Sequence, residues 1–354
     1  MINSNNMSKQ IFQNLKNLPI PLHQTQCVLH KHELLICGGF FERACYSYHT
    51  LKNEYKFICE YPSDVRLYGH SVVKLVNNNK DSNETTLLSF GGNEFVKRHT
   101  FMMKYISVWS NMSNKSNELN NYNQWVPFTD NHNHPVIIGR DQNHSYIGVR
   151  AVIGGSNNHL LFVTCYNNIS VFDLNTFQCI KQDKLLAYSF SCHCFVSISE
   201  NGQGQEMIKT DQEKNKQNYQ MLLFSFRGGL SIEYDEDNNT FQFHQLSVCN
   251  DIALLNSYGY VRINDVIFFF GGWDYRNASK SVYKYSIREN KWMTFQNTLP
   301  SPLKNCVAIL SEEDNHIHII GGQNHDTMIV STHMKTNART WDHSLLVMIS
   351  YLFL

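Results

Sequence analysis

The sequence predicts an all-β fold: a single domain built from a repeated strand, glycine doublet, strand, turn and aromatic, in five clear copies and one degraded one. Three observations carry that prediction. Five times a short apolar stretch runs into a glycine doublet, at Gly38-Gly39, Gly91-Gly92, Gly228-Gly229, Gly271-Gly272 and Gly321-Gly322. In register with them recurs an Asn, one spacer and an aromatic ring: Asn53-Glu54-Tyr55, Asn123-Gln124-Trp125, Asn175-Thr176-Phe177, Asn239-Thr240-Phe241 and Asn290-Lys291-Trp292, with Asn337 to Trp341 as a looser sixth copy. Finally, no long helical periodicity interrupts the 354 residues, and 13% aromatic with 17% charged residues suits sheets buried against one another. A strand that must stop and turn beside a crowded neighbour favours glycine. Asn tolerates the left-handed conformation of a tight hairpin, and the ring after it is expected to cover the outer side of the sheet.

The elements follow in chain order. The first repeat, near 27–60, runs Leu34-Leu35-Ile36-Cys37 into its doublet, then Tyr46 and Tyr48, and closes on Tyr55. The second, near 70–128, has Leu87-Leu88-Ser89-Phe90, then Tyr105 and Trp125. The third, near 147–183, departs from the pattern: Gly154-Gly155 lies between Ala151-Val152-Ile153 and Leu160-Leu161-Phe162-Val163, so it reads as the hairpin joining the first two strands. Asn167-Asn168 stands where the doublet is expected and can supply the same turn conformation. The fourth, near 188–246, passes from its doublet almost directly into the strand with Tyr234 and on to Phe241. The fifth, near 258–297, is the most complete, with Ile267-Phe268-Phe269-Phe270, the doublet, Val282-Tyr283-Lys284-Tyr285 and Trp292. The sixth, near 306–345, has its doublet and Trp341 but no tyrosine between them.

Doublet, middle-strand tyrosine and outer-strand tryptophan together resemble the kelch repeat, and the likeness extends over residues 10–345. It implies a six-bladed kelch-type β-propeller, each blade four antiparallel strands. Residues 1–9 and the apolar 346–354 lie outside it, the latter about half the ~20 residues that span a bilayer. One echo bears on ring closure. Ile11-Phe12-Gln13-Asn14 leading to Leu18-Pro19-Ile20-Pro21-Leu22 matches Thr294-Phe295-Gln296-Asn297 leading to Leu299-Pro300-Ser301-Pro302-Leu303, an outer strand passing into the next blade. The N-terminal segment is therefore expected to complete the last blade, removing an open edge, in competition with the segment after Trp341.

Thirty basic residues balance thirty acidic ones without a Lys/Arg block, which disfavours nucleic-acid binding. The start lacks the apolar core of a signal peptide, and ten cysteines scattered through apparent strands read as packed thiols, so a reduced, cytoplasmic, non-membrane chain is expected. Cys192-His193-Cys194 places its thiols and imidazole on opposite sides of a strand, so no metal is expected there. His30/His32, His132/His134 and His316/His318 are same-face pairs, each half a metal site and expected to be solvated near hairpins. No G-x-S-x-G, Walker loop or H-E-x-x-H occurs, and no cofactor is expected.

Two function classes follow. The first is a non-enzymatic scaffold or substrate-recognition module that binds another protein, acidic or phosphorylated, on one face. The second is an enzyme, since copper-radical oxidases and sugar-acid epimerases also use kelch-type blades. The oxidase constellation, a crosslinked tyrosine and cysteine with two histidines, cannot be placed in this sequence. In antiparallel blades, loops after the second strands and between blades share one side, and the long Asn-rich insertions 77–84, 110–122 and 200–218 fall on the other. The first side carries the candidate partner-binding residues Arg43, Arg66, Tyr68, Arg98, Tyr146, Tyr258, Trp273 and Arg276. Arginines there could chelate a carboxylate or phosphate. The competing expectations are that Glu42, Asp64, Glu94 and Asp274 pair with them and that the tyrosines line the channel.

Overall fold

The computed structural model describes residues 11–76, 83–93, 95–110, 121–140, 145–185, 192–198 and 218–342. The extreme termini and most of the three long insertions lie outside the described residues. Six four-stranded antiparallel sheets form a propeller ring. After the short β1 (Gln13–Asn14), blade one comprises β2 (Gln26–His30), β3 (Glu33–Gly39), β4 (Glu42–His49) and β5 (Glu54–Glu60). Blade two comprises β6 (Ser71–Leu75), β7 (Glu84–Gly91), β8 (His99–Ile106) and β9 (Val126–Pro127). Blade three has β10 (Arg150–Gly154), β11 (Leu160–Cys165), β12 (Asn168–Asp173) and β13 (Gln178–Lys184), and blade four β14 (Cys194–Ser197), β15 (Asn218–Ser225), β16 (Gly228–Asp235) and β17 (Thr240–Leu246). Blade five has β18 (Gly259–Ile263), β19 (Val266–Phe270), β20 (Val282–Ser286) and β21 (Lys291–Thr294). Blade six is β22 (Val307–Ser311), β23 (His316–Ile320), β24 (His333–Asn337) and, from the other end of the chain, β1.

That last pairing, Gln13 opposite Lys335 and Asn14 opposite Met334, closes the ring. Leu15 and Leu18 extend it by donating to the carbonyls of His333 and Ser331, both at 2.9 Å. The segment after Trp341, the expected competitor, lies outside the described residues. Trp341 itself lies elsewhere: it packs on Phe12 at 5.6 Å, while its indole N–H donates to the Thr336 hydroxyl at 2.9 Å. The chain then passes Leu22 over the sixth doublet, where a Cβ on the left-handed Gly321 would collide with the Leu22 carbonyl oxygen.

Second strands are buried on both faces, every residue of β3, β11 and β19 among them, because each blade is covered by two neighbours. First strands touch around the centre, β2 against β6 and β22, and β10 against β6 and β14. Apolar clusters bridge neighbouring blades: Leu35, Cys37 and Cys45 of blade one share a core with Leu87, Met103 and Trp125 of blade two. The repeated aromatics lie in these seams, not over the outer side of a sheet. Trp125 stacks on Tyr61 at 4.6 Å and 17°, and Trp292 meets Phe224 of the preceding blade at 5.0 Å.

The turn between third and fourth strands explains the recurring asparagine. Asn53, Asn123, Asn239 and Asn290 are left-handed, with φ between 51° and 57°. In three blades the middle-strand tyrosine donates to the turn Asn Oδ1: Tyr48 to Asn53 at 2.9 Å, Tyr234 to Asn239 at 2.9 Å and Tyr285 to Asn290 at 2.8 Å. Tyrosine five residues before the asparagine is thus one device. In blade two, Tyr105 is diverted to the Glu33 carboxylate of blade one. Three turns differ from expectation. In blade three the left-handed residues are Tyr166 and Phe177, not the asparagines, and in blade four Arg227 at φ 60° takes the strain. Gly228 there has no left-handed φ and open space around its missing Cβ, whereas Gly229 is pressed by the Phe224 ring.

Candidate recognition face

Each hairpin between second and third strands emerges where the first strands begin, so all six share one end of the ring. Their tips carry exposed apolar side chains: Phe41, Phe95, Tyr166, Tyr275 and Met328, with Phe95 90% exposed. Blade four contributes the half-buried Phe226. Burying none of these rings within the blades leaves an apolar rim around the mouth. Two tips extend into clusters. Phe40, Phe41 and Tyr68 pack within 4.4–6.0 Å of one another. Across the ring, Tyr275 meets Phe226 and Trp273, each at 5.1 Å, while the Lys304 ammonium lies 4.4 Å over Trp273 and the Arg227 guanidinium 4.9 Å over Phe226.

The predicted arginines divide. Arg66 and Arg276 are exposed. Arg43 is half-buried, bonded to the Tyr61 carbonyl at 3.2 Å and to Glu60 at 3.0 Å, not to Glu42. Arg98 donates to the Gly139 carbonyl and covers the Tyr146 ring at 5.6 Å. Nor are the acids where pairing would put them. Lys97 takes Asp64, while Asp274 accepts the backbone N–H groups of Arg276 and Asn277; Glu94 lies outside the described residues. Tyr146 and Tyr258 are buried between blades and are not surface anchors; Tyr258 donates to the Phe224 carbonyl at 2.9 Å and also lines the central cavity, as the competing expectation had it.

Inside the mouth lies a cavity of about 280 Å³ at the starts of the first strands. Gln24, Thr25, Gln26, Ser257, Tyr260 and Asn305 give it a polar wall, and Arg150 is the cation lining it. The Arg150 guanidinium hydrogen-bonds the Tyr260 hydroxyl and the Cys192 thiol, and also donates to the Val149 carbonyl at 2.8 Å. No carboxylate or imidazole lines this cavity among the described residues. Burial pushes the Tyr260 phenol and the Cys306 thiol each up to about 12, which leaves both protonated and unreactive at neutral pH.

The Cys-His-Cys stretch is not a linear strand: Cys192 is left-handed at φ 52° and faces the cavity, while His193 is buried on the Thr164 hydroxyl at 2.7 Å. His30 and His318 are buried, contrary to the solvated reading, and burial lowers His318 to about 4. Sequence reasoning missed the apolar tips, Arg150 and one acid beside the 132/134 pair. A Phe, Tyr or Met within a few residues after each second strand was the available signal for the tips.

The comparisons agree with this architecture. The kelch motif matches residues 255–297, the fifth blade. Among solved structures, one titled "Structure of YjhT" aligns with a TM-score of 0.58 over 90% of this chain and 95% of that one, at 12% identity, a likeness of fold alone. No curated protein matches the chain. By its repeats and its six blades, the molecule is a kelch-repeat β-propeller.

Proposed function

We propose that this propeller is a non-enzymatic recognition module that holds a segment of another protein on the face carrying the second-to-third strand hairpins. The observation that carries the reading is the rim of exposed Phe, Tyr and Met at those tips, with Arg66 and Arg276 exposed among them. Aromatic and arginine side chains are the usual anchors of protein interfaces, and exposed guanidinium groups favour an acidic or phosphorylated segment. Among the described residues no helix is long and apolar enough to cross a membrane, and a reducing compartment such as the cytoplasm suits ten cysteines outside any disulfide.

A second reading, a small-molecule enzyme on the same fold, draws on the cavity around Arg150. Among the described residues its walls hold no paired acid and base, which general acid–base chemistry needs. The discriminating experiment is affinity capture with Arg66→Glu and Arg276→Glu combined. Loss of the principal partners with an unchanged melting temperature supports the reading. Undiminished capture sinks it, and assigns recognition to the opposite face if substitutions there abolish capture.

A further inference from the structure

Between blades two and three, residues 128–136 form a small hairpin that no blade includes. Its base is fixed: Phe128 and Ile138 are buried, the Phe128 N–H donates to the Thr100 carbonyl at 3.1 Å, and the Ile138 N–H to the Thr100 hydroxyl at 2.9 Å. Its arms pair through Thr129 with Pro135 and through Val136 N–H to the Phe128 carbonyl at 2.8 Å. At the tip the chain turns on Asp130, with Asn133 left-handed at φ 64° and its N–H on the Asp130 carbonyl at 3.1 Å. Asp130 Oδ1 receives the backbone N–H groups of His132 and His134 at 2.8 and 2.9 Å. This leaves Oδ2 turned toward His134 Nδ1 at 3.2 Å, while the two imidazoles lie nearly parallel at 6.0 Å.

The three side chains therefore converge: one ligand atom from each of Asp130, His132 and His134 lies within 4.8 Å of the others. An ion with bonds of ~2.0–2.1 Å in tetrahedral geometry needs ligand atoms roughly 3.3–3.4 Å apart. Both imidazoles are exposed and so can turn, and His134 Nδ1 already stands 3.2 Å from Oδ2. The sequence showed only the histidine pair. Folding adds the carboxylate.

We propose that this hairpin tip binds a borderline divalent transition metal, Zn²⁺ foremost, through Asp130, His132 and His134. Two neutral imidazole nitrogens and a carboxylate oxygen are a donor set for Zn²⁺ rather than for Ca²⁺ or Mg²⁺, which take oxygen alone. Three ligands leave one coordination position open to solvent. A turn already fixed by its own hydrogen bonds spares the ion the cost of ordering its ligands.

The test is calorimetric titration of the tag-free full-length chain with ZnCl₂, repeated with Co²⁺ as a spectroscopic probe. One equivalent should bind, with nitrogen and oxygen ligation in the Co²⁺ spectrum, and His132→Ala or His134→Ala should each weaken binding about tenfold or more. Asp130→Asn keeps the oxygen that holds the turn and removes the charge, so it should weaken the metal while melting stays unchanged. Calcium and magnesium should not compete. Absence of stoichiometric uptake, a thiolate-to-cobalt band, or unchanged affinity in both histidine variants would overturn the assignment.

Discussion

The two ends of the blades solve the same problem, turning a strand through a hairpin, with opposite chemistry. At the end where third strands pass to fourth, a left-handed asparagine recurs and a buried tyrosine holds its side chain, as in Tyr285 with Asn290. At the end where second strands pass to third, the left-handed position falls to residues as unlike as Phe41, Tyr166, Arg227 and Thr327. Exposed large apolar side chains also divide unevenly among the described residues: Leu51 and Val76 at the first end, but Phe41, Phe95, Tyr166, Leu254, Tyr275, Met328 and Ile329 at the second. A residue repeated because it closes a turn is serving the fold. A class of residue kept at tips where it packs little is serving something outside the fold, and this is why the second end is the one proposed to meet a partner.

If the division is sound, substitutions at the first end and at the seams should cost stability, and those at the apolar tips should not. The largest effect is expected from deleting residues 1–18. This removes β1 and the buried Phe12 and Leu18, about 1.5–3 kcal/mol of burial apiece, so a loss of about 3–6 kcal/mol should appear in chemical denaturation. An unchanged unfolding midpoint would mean that the segment after Trp341 can take the vacated place. Close behind, Trp125→Ala empties the seam between blades one and two, where the ring stacks on Tyr61 and its N–H reaches the Cys45 sulfur at 3.3 Å. It should cost about 3–5 kcal/mol.

Acid should separate the two ends in another way. Burial lowers His23 and His99 to about 4 and His70 to about 3, and holds His193 and His333 well below the ordinary imidazole value. All five stand in loops or strand starts at the tip end; burial also lowers His30 and His49 at the opposite end and His318 in mid-strand, so the tips hold the larger number and not all of them. An imidazole kept neutral by the fold but free to protonate near 6.5 when unfolded stabilises the fold above pH 6.5, and that contribution is lost as pH falls toward about 4. Hydrogen exchange corrected for its intrinsic pH dependence should therefore show the tip-end hairpins opening first between pH 6.5 and 4. Uniform loosening at both ends would break the distinction.

The sequence made the first end legible and left the second largely unread, for a physical reason. Local rules govern the turn at Asn290: a tyrosine, an asparagine and a ring at fixed spacing satisfy one another, so the pattern repeats in the text. The β1 echo is looser: Gln13 and Asn14 pair in the sixth blade where Met293 and Thr294 pair in the fifth, so the likeness of Ile11–Asn14 to Thr294–Asn297 named the right strand three residues out of register. What the loops of the second end touch is decided by neighbouring blades. Nothing near Arg43 in sequence announces Glu60, and only the hairpin brings Asp130 to His132 and His134. An aromatic at the entrance to a first strand serves equally as anchor, wedge or channel wall: Tyr146 is buried as a wedge, whereas Tyr258 is buried and also lines the cavity.

A smaller loss is expected from Tyr285→Phe, which keeps the ring against Phe224 and Trp292 and removes only the hydroxyl that Asn290 accepts. One net hydrogen bond is worth about 1 kcal/mol, so a shift of that size, shared by Tyr234→Phe, would mark the Tyr–Asn pair as a repeated structural part.

The smallest effect on stability carries the most information about function. Phe41→Ser with Tyr275→Ser removes two apolar tips, each at least half exposed, from blades one and five. Exposed positions away from caps and cores usually change stability by less than about 0.5 kcal/mol, and a serine relieves water of contact with the rings. Both positions are left-handed, Phe41 at φ 56° and Tyr275 at φ 70°, so neither residue is there for backbone comfort and serine inherits the same strain. The double variant should melt with the parent protein while its capture of partners falls. Should melting drop by several kcal/mol, Phe41 on Phe40 and Tyr68, and Tyr275 on Trp273 and Phe226, would be cementing the mouth, and the apolar rim would belong to the fold after all.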